Sequence, residues 1–165
     1  MARSIITGRF QRTEDTLREI AERLIADMVA ELRARKKVAS GDLVDSFDYD
    51  EGKISELELE ITSNVEYAGV QDRGYRGLVP LENLVRWARL KGLRPRHQTG
   101  RKAGKFMTLK QFAWLAGRKI ANHGYPGIDY AANAFLKSAN LIDRSIGESY
   151  MQDIEEMLEQ NITFK

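Results

Sequence analysis

The chain has 165 residues, 42% of them hydrophobic and 30% charged, with no cysteine and a formal net charge of +2. That length supports one domain with its own core, and the composition excludes bulk disorder. Disulfides, thiolate metal sites and a thiol nucleophile are excluded, and no apolar run reaches the roughly 18 residues that a membrane helix needs.

The start, MARSIITGRFQRTEDTLREI, has no continuous apolar stretch or small-residue cleavage site, so a secretory signal is not expected. Residues 1–12 read as a polar arm and 13–165 as a single domain. From Thr13 to Arg35, Leu17, Ile20, Ala21, Leu24, Ile25, Met28, Val29 and Leu32 form one apolar stripe at helical spacing. Thr13 is the expected N-cap, Glu14 and Asp15 suit the positive end of the helix, and Arg33 to Lys37 suit its negative end. Ser40-Gly41-Asp42 breaks the helix, and Leu43 to Ser46 is expected to add one turn.

A β-hairpin is expected next: Phe47-Asp48-Tyr49, a turn at Asp50-Glu51-Gly52-Lys53, and a return strand Ile54–Thr62. In that strand Leu57, Leu59 and Ile61 alternate with Glu56, Glu58 and Glu60. Tyr67 to Asp72 reads as a short helix ended by Gly74. After Pro80 a second amphipathic helix turns Leu81, Leu84, Val85, Trp87 and Ala88 inward and closes at Lys91-Gly92. Residues 93–107 carry Pro, Gly and dense positive charge without a period, so a basic loop is expected there. Thr108 then caps a helix through Leu109, Phe112, Ala113, Leu115, Ala116 and Ile120 that ends near His123-Gly124. Tyr125-Pro126-Gly127 is a turn, and Tyr130 to Gln160 is a last helix or helix pair. Its inward set is expected to be Phe135, Leu136, Ala139, Ile142, Ile146, Tyr150, Ile154, Met157 and Leu158. The fold class that follows is α+β: a small antiparallel β-sheet packed against a long N-terminal helix and C-terminal helices.

The small net charge conceals an asymmetry. Asn83 to Ile128 holds no Asp or Glu but eleven basic side chains, while the rest of the chain has 15 basic and 24 acidic residues. Such a chain suits a polyanion on one region, or docking of its basic region on the acidic region of another copy. Arg94, Arg96, Arg101, Lys102 and Lys105 are the candidate contacts to DNA phosphates or to a neighbouring subunit.

Catalytic motifs fail on specific residues. GRKAGK resembles a phosphate-binding loop, but Thr99 stands where the first glycine is required and Phe106 where the Mg²⁺-binding hydroxyl is required. The acids Asp42, Asp45, Asp48, Asp50 and Glu51 do not fit a calcium loop, since Gly52 falls one position early and Leu59 replaces the closing Glu. A nuclease-like set of Asp42, Glu51 and Lys53 would put two of its members in a turn. His97 and His123 lack partners at ligand spacing, and there is no G-x-S-x-G elbow. No catalytic residue, metal site or cofactor is expected.

Three segments together resemble the tail-completion or neck proteins of tailed bacteriophages, a family of head–tail connectors and minor tail components. They are Ser40-Gly41-Asp42-Leu43-Val44-Asp45-Ser46-Phe47; Tyr67-Ala68-Gly69-Val70-Gln71-Asp72-Arg73-Gly74; and Leu115-Ala116 through Ile120 and Gly124 to Phe135-Leu136-Lys137-Ser138-Ala139. Arg86 to Gly92 is of a kind seen in the same proteins. Ala134 and Ser138 stand where the family often has proline, and Tyr75 follows Gly74 where it commonly has threonine. The resemblance implies structural roles for Gly41, Leu43, Ser46, Tyr67, Ala68, Asp72, Gly74, Phe135, Leu136 and Ala139. It also implies a non-catalytic virion protein, made in the bacterial host cytoplasm, that forms an oligomeric ring at the head–tail junction. Its partners would be other neck, connector and tail proteins and packaged double-stranded DNA passing through the ring, with no membrane. The rival expectation is a stand-alone DNA-binding protein using residues 83–128.

Overall fold

The apolar stripe of the first helix and the Thr108 cap of a later one are realised in a computed structural model, which describes residues 9–162. The element order is α1 (Gln11–Ala34), a 3₁₀ turn (Val44–Ser46), β1 (Phe47–Tyr49), α2 (Glu51–Ile54), β2 (Ile61–Ser63), α3 (Ala68–Arg73), β3 (Gly74–Tyr75), α4 (Leu81–Leu90), α5 (Leu109–His123), β4 (Tyr125–Pro126) and α6 (Tyr130–Ile162). The architecture is α+β, with two separate two-stranded antiparallel sheets, β1–β2 and β3–β4. Among the described residues, no helix is long and apolar enough to cross a membrane.

Two compact units divide the chain. The first comprises residues 1–31, 46–64 and 130–165, and the second residues 32–45 and 65–129. The first carries 9 basic and 18 acidic residues, and the second 17 basic and 6 acidic. The charge asymmetry of the sequence is thus a difference between folded units, formally −9 against +11.

In the acidic unit, α1 buries Leu17, Ile20, Ala21, Leu24 and Met28, as its stripe requires. Thr13 is not the N-cap. The helix starts at Gln11, the Glu14 amide donates to the Phe10 carbonyl, and Thr13 is buried inside the first turn. The Gln11 start also takes in the last two residues of the expected arm, whose residues 1–8 lie outside the described part. Thr13 instead donates its hydroxyl to Asp153 Oδ2 at 2.7 Å and its amide to the same oxygen at 2.8 Å. The Arg12 amide donates to the other carboxylate oxygen at 3.1 Å. Further along, Thr16 and Ser149 share a hydroxyl hydrogen bond of 2.5 Å, Ser138 donates to Asp27 at 3.0 Å, and Lys137 pairs with Glu31. Helices α1 and α6 therefore meet along a polar ladder.

That ladder corrects the expected inward face of α6. The buried residues are Tyr130, Ala134, Ser138 and Asp153, while Phe135 is 54% exposed, Leu136 71% and Leu158 48%. Small and hydroxyl-bearing residues let the helices approach and bond, so Phe135, Leu136 and Leu158 face elsewhere, while Ala139, Ile142, Ile146, Ile154 and Met157 of the expected set are half-buried. Tyr150, 40% exposed, stacks on Phe10 with ring centroids 5.0 Å apart.

The expected hairpin is present, with Phe47 opposite Ser63 and Tyr49 opposite Ile61, but its return strand is shorter than the alternation suggested. Asp50 accepts a hydrogen bond from the Gly52 amide at 2.8 Å and caps the helical turn α2. Ile54 is fully buried from that turn, and Leu57 takes φ +59°. A side chain cannot continue a strand from that left-handed conformation, so only Ile61–Ser63 pairs.

The basic unit is organised around a backbone crossing. β3 pairs Gly74 with Pro126 and Tyr75 with Tyr125. A Cβ on Gly127 would lie 2.0 Å from the Asp72 carbonyl oxygen, and one on Gly74, whose φ is +86°, 2.5 Å from the Tyr125 carbonyl oxygen. Only glycine allows the two chain segments to pass this closely. The Asp72 carbonyl accepts from the Ile128 and Asp129 amides at 3.0 and 2.9 Å. Tyr125 donates its hydroxyl to Gln71 at 2.8 Å and accepts from Lys37 at 2.9 Å. α4 packs on α5 through Trp87 stacked on Phe112, and Leu84 fits against Gly117. Thr108 and Gln111 form a reciprocal capping box at the start of α5, whose last turn ends at Gly124 with φ +80°.

Candidate functional site

The expected basic loop 93–107 has more structure than its composition indicates. The Met107 amide donates to the Pro95 carbonyl at 3.0 Å and the His97 amide to the Lys105 carbonyl at 2.9 Å, so Arg96 pairs antiparallel with Phe106. The Gly104 amide donates to the His97 carbonyl at 2.8 Å and closes the tip. This is a short β-ribbon joining α4 to α5. Two paired positions leave no hydrophobic alternation in the sequence, which is why pattern alone reads a loop.

All five candidate cationic residues, Arg94, Arg96, Arg101, Lys102 and Lys105, are exposed. The Arg96 guanidinium lies 4.4 Å from the centroid of the Phe106 ring, an arrangement that holds the cation in place while leaving its edge open to an anion. Phe106 is 61% exposed. Arg101 and Lys102 occupy the tip with Gly100 and Gly104, both at positive φ. The ribbon can engage phosphate or carboxylate oxygens but has no second aromatic group for stacking bases.

Beside the ribbon, Leu81, His97, Lys110, Gln111, Trp114 and Leu115 line an open groove of about 420 Å³. Trp114 is 55% exposed and Leu115 48%. The Arg118 guanidinium lies 5.5 Å from the Trp114 ring centroid. α5 buries Ala113, while Leu115, two positions further along the helix, faces outward.

The residues singled out by the resemblance are dispersed rather than gathered into a site. Gly41 sits in the turn after α1 at φ +98°, Leu43 is buried, and the Ser46 hydroxyl bonds that of Ser63 at 2.7 Å. Tyr67 and Ala68 begin α3, Asp72 and Gly74 belong to the backbone crossing, and Ala139 is half-buried on α6 beyond the exposed Phe135 and Leu136. Their contributions are packing, turns and surface.

Of the residues considered for metal chemistry, Glu51 pairs with Arg18 at 3.1 Å, Lys53 pairs with Glu60, and Asp50 caps α2. Among the described residues there is no group of three or more His, Asp or Glu placed to hold a metal ion. Two carboxyls of the acidic unit are shifted. Hydrogen bonding by Arg9, at 2.8 and 2.9 Å, and its charge hold the Glu14 carboxyl below its usual value against its burial. Burial by itself pushes the Asp153 carboxyl up, but the Thr13 hydroxyl, the Thr13 and Arg12 amides and the Arg12 charge outweigh it and leave it lowered. Asp153 joins α6 to α1, and Glu14 ties Arg9 to the first turn of α1. No family model, curated protein or solved structure matches the chain.

Proposed function

We propose that the chain is a non-catalytic structural subunit that assembles with copies of itself at the head–tail junction of a tailed bacteriophage, as a neck or tail-completion protein. The observation that carries self-assembly is the outward placement of large apolar side chains in both units: Phe135, Leu136 and Met151 on α6, and Trp114 and Leu115 on α5, each 48–71% exposed. Apolar surface of this kind is stabilised by burial, at about 25 cal/mol per Å² removed from water. Placement at the phage neck rests on the three motifs of the sequence and on the charge segregation, which suits a ring built from unlike surfaces. Exposed apolar residues with basic and acidic units also fit contacts to a connector on one side and a tail protein on the other.

The test is native mass measurement and negative-stain imaging of the purified chain, with duplex DNA binding measured at two salt concentrations. Rings or higher oligomers are expected. A persistent monomer that binds duplex DNA tightly and salt-sensitively would instead establish the second function, a DNA-binding protein. One observation favours that second function: the exposed tip cations Arg101 and Lys102 on a ribbon free of acidic residues. Portal and tail genes on either side of the coding sequence would support the first.

A further inference from the structure

Two exposed surfaces of the chain have matching chemistry. On α5, Lys110, Trp114 and Arg118 recur every fourth residue and so line one stripe. Leu115 and, from α4, Leu81 add apolar surface in the groove beside that stripe. Near the end of α6, Met151, Glu155, Leu158 and Glu159 stand at relative positions 0, 4, 7 and 8, which is again one face of a helix. All four are exposed. Residues 145–162 contain five acidic side chains and no basic one, whereas all the groove residues except Leu81 lie in the stretch with eleven basic side chains and no acidic one.

We infer that the α4–α5 groove of one copy receives the C-terminal half of α6 from the next copy. Met151 and Leu158 sit against Trp114 and Leu115, and Glu155 and Glu159 face Lys110 and Arg118. The inference rests on the self-assembly proposed above and adds its chemistry. The cations lie one turn to either side of Trp114, so they flank an apolar centre, the arrangement expected of an interface whose aromatic anchor is sheltered by polar contacts. The two surfaces are different, so each copy keeps one of each unfilled after the first contact. Those unfilled surfaces are what further copies would occupy.

Mixing tests this directly. Trp114→Glu spoils the groove and leaves the α6 face intact, while Leu158→Glu does the reverse. Both positions are exposed, and far-UV circular dichroism checks that both variants keep their helices. Each variant alone is expected to self-associate about 30-fold more weakly than the unaltered chain, the loss typical of an anchor residue. An equimolar mixture is expected to give a one-to-one heterodimer and nothing larger in sedimentation velocity. As a milder pair, Lys110→Glu and Glu155→Lys are each expected to weaken assembly, and the double variant to restore it. If the unaltered chain assembles but either variant assembles equally well alone, or the mixture gives no heterodimer, the groove-to-α6 pairing is wrong and self-assembly stands. If the unaltered chain is monomeric throughout, self-assembly fails as well.

Discussion

The acidic unit closes on side chains and the basic unit on backbone. In the first, α1 and α6 are joined by the Asp153 carboxylate and by hydroxyls from Thr13, Thr16, Ser138 and Ser149. In the second, Gly74 and Gly127 bring two chain segments close enough for the Asp72 carbonyl to take two amides. The contrast has a consequence for tolerance. A polar ladder can lose one rung and remain a helix pair, whereas a backbone crossing has no room for a methyl group. It also has a consequence for charge. The unit that spends its carboxylates on internal bonds still retains the acidic surface, and the basic unit carries its cations exposed on a ribbon and a helix.

The largest expected effect is therefore in the basic unit. Gly127→Ala should destabilise that unit by about 3 kcal/mol or more, because the added carbon meets backbone that must move. Thermal unfolding followed by tryptophan fluorescence reads this directly, since Trp87 and Trp114 both lie in the basic unit. An unchanged melting temperature would show that the crossing is loose enough to admit a methyl group.

In the acidic unit, Asp153→Ala should cost about 2 kcal/mol by leaving the Thr13 hydroxyl and two amides without their acceptor. The Asp153 and Glu14 carboxyls are both lowered in the folded chain. Their stabilisation is then fully present above the unfolded carboxylate values and is lost as pH falls through the lower folded ones. Acid should thus reduce the helical circular dichroism of α1 and α6 before it changes tryptophan fluorescence, and Asp153→Asn should flatten that acid dependence. Simultaneous loss of both signals would mean that the units do not differ in this way.

Smaller effects sharpen the same contrast. Thr108→Ala removes the capping box of α5 and should cost about 1 kcal/mol, seen by fluorescence. Leu136→Ser, at a 71% exposed position, should change the melting temperature of the isolated chain by the equivalent of about 0.5 kcal/mol or less while reducing self-association. A large loss of stability would return Leu136 to the core, where its periodicity first put it.

What could be read from sequence followed from how much of each element is local. Helices α1, α4 and α5 carry an apolar stripe, to which α5 adds the Thr108 cap, and their expected bounds lie close to those observed. The short helix expected before Gly74 is present as α3. The inner face of α6 is only partly legible: Ile142, Ile146, Ile154 and Met157 are half-buried as expected, but Ser138 and Asp153 lie at its centre because their partners are Asp27 and Thr13, and a stripe of Ala, Ser and Asp looks like an outer face until those partners are known. The alternation of Leu57, Leu59 and Ile61 promised a strand that the cap at Asp50 pre-empted. The basic residues of the ribbon were all named from composition, but their pairing depends on a few long-range amide bonds that leave no periodic trace. The groove beside them was missed, and the signal for it was present: Trp114 and Leu115 lie one position outside the stripe of Phe112, Ala113 and Ala116.

The most direct test of the account is sedimentation velocity of the unaltered chain over a concentration series at low and high salt. Segregation of 17 basic and 6 acidic residues from 9 basic and 18 acidic ones predicts concentration-dependent assembly that weakens as salt screens the opposed units. A single monomeric species at every concentration and both salt levels would contradict it.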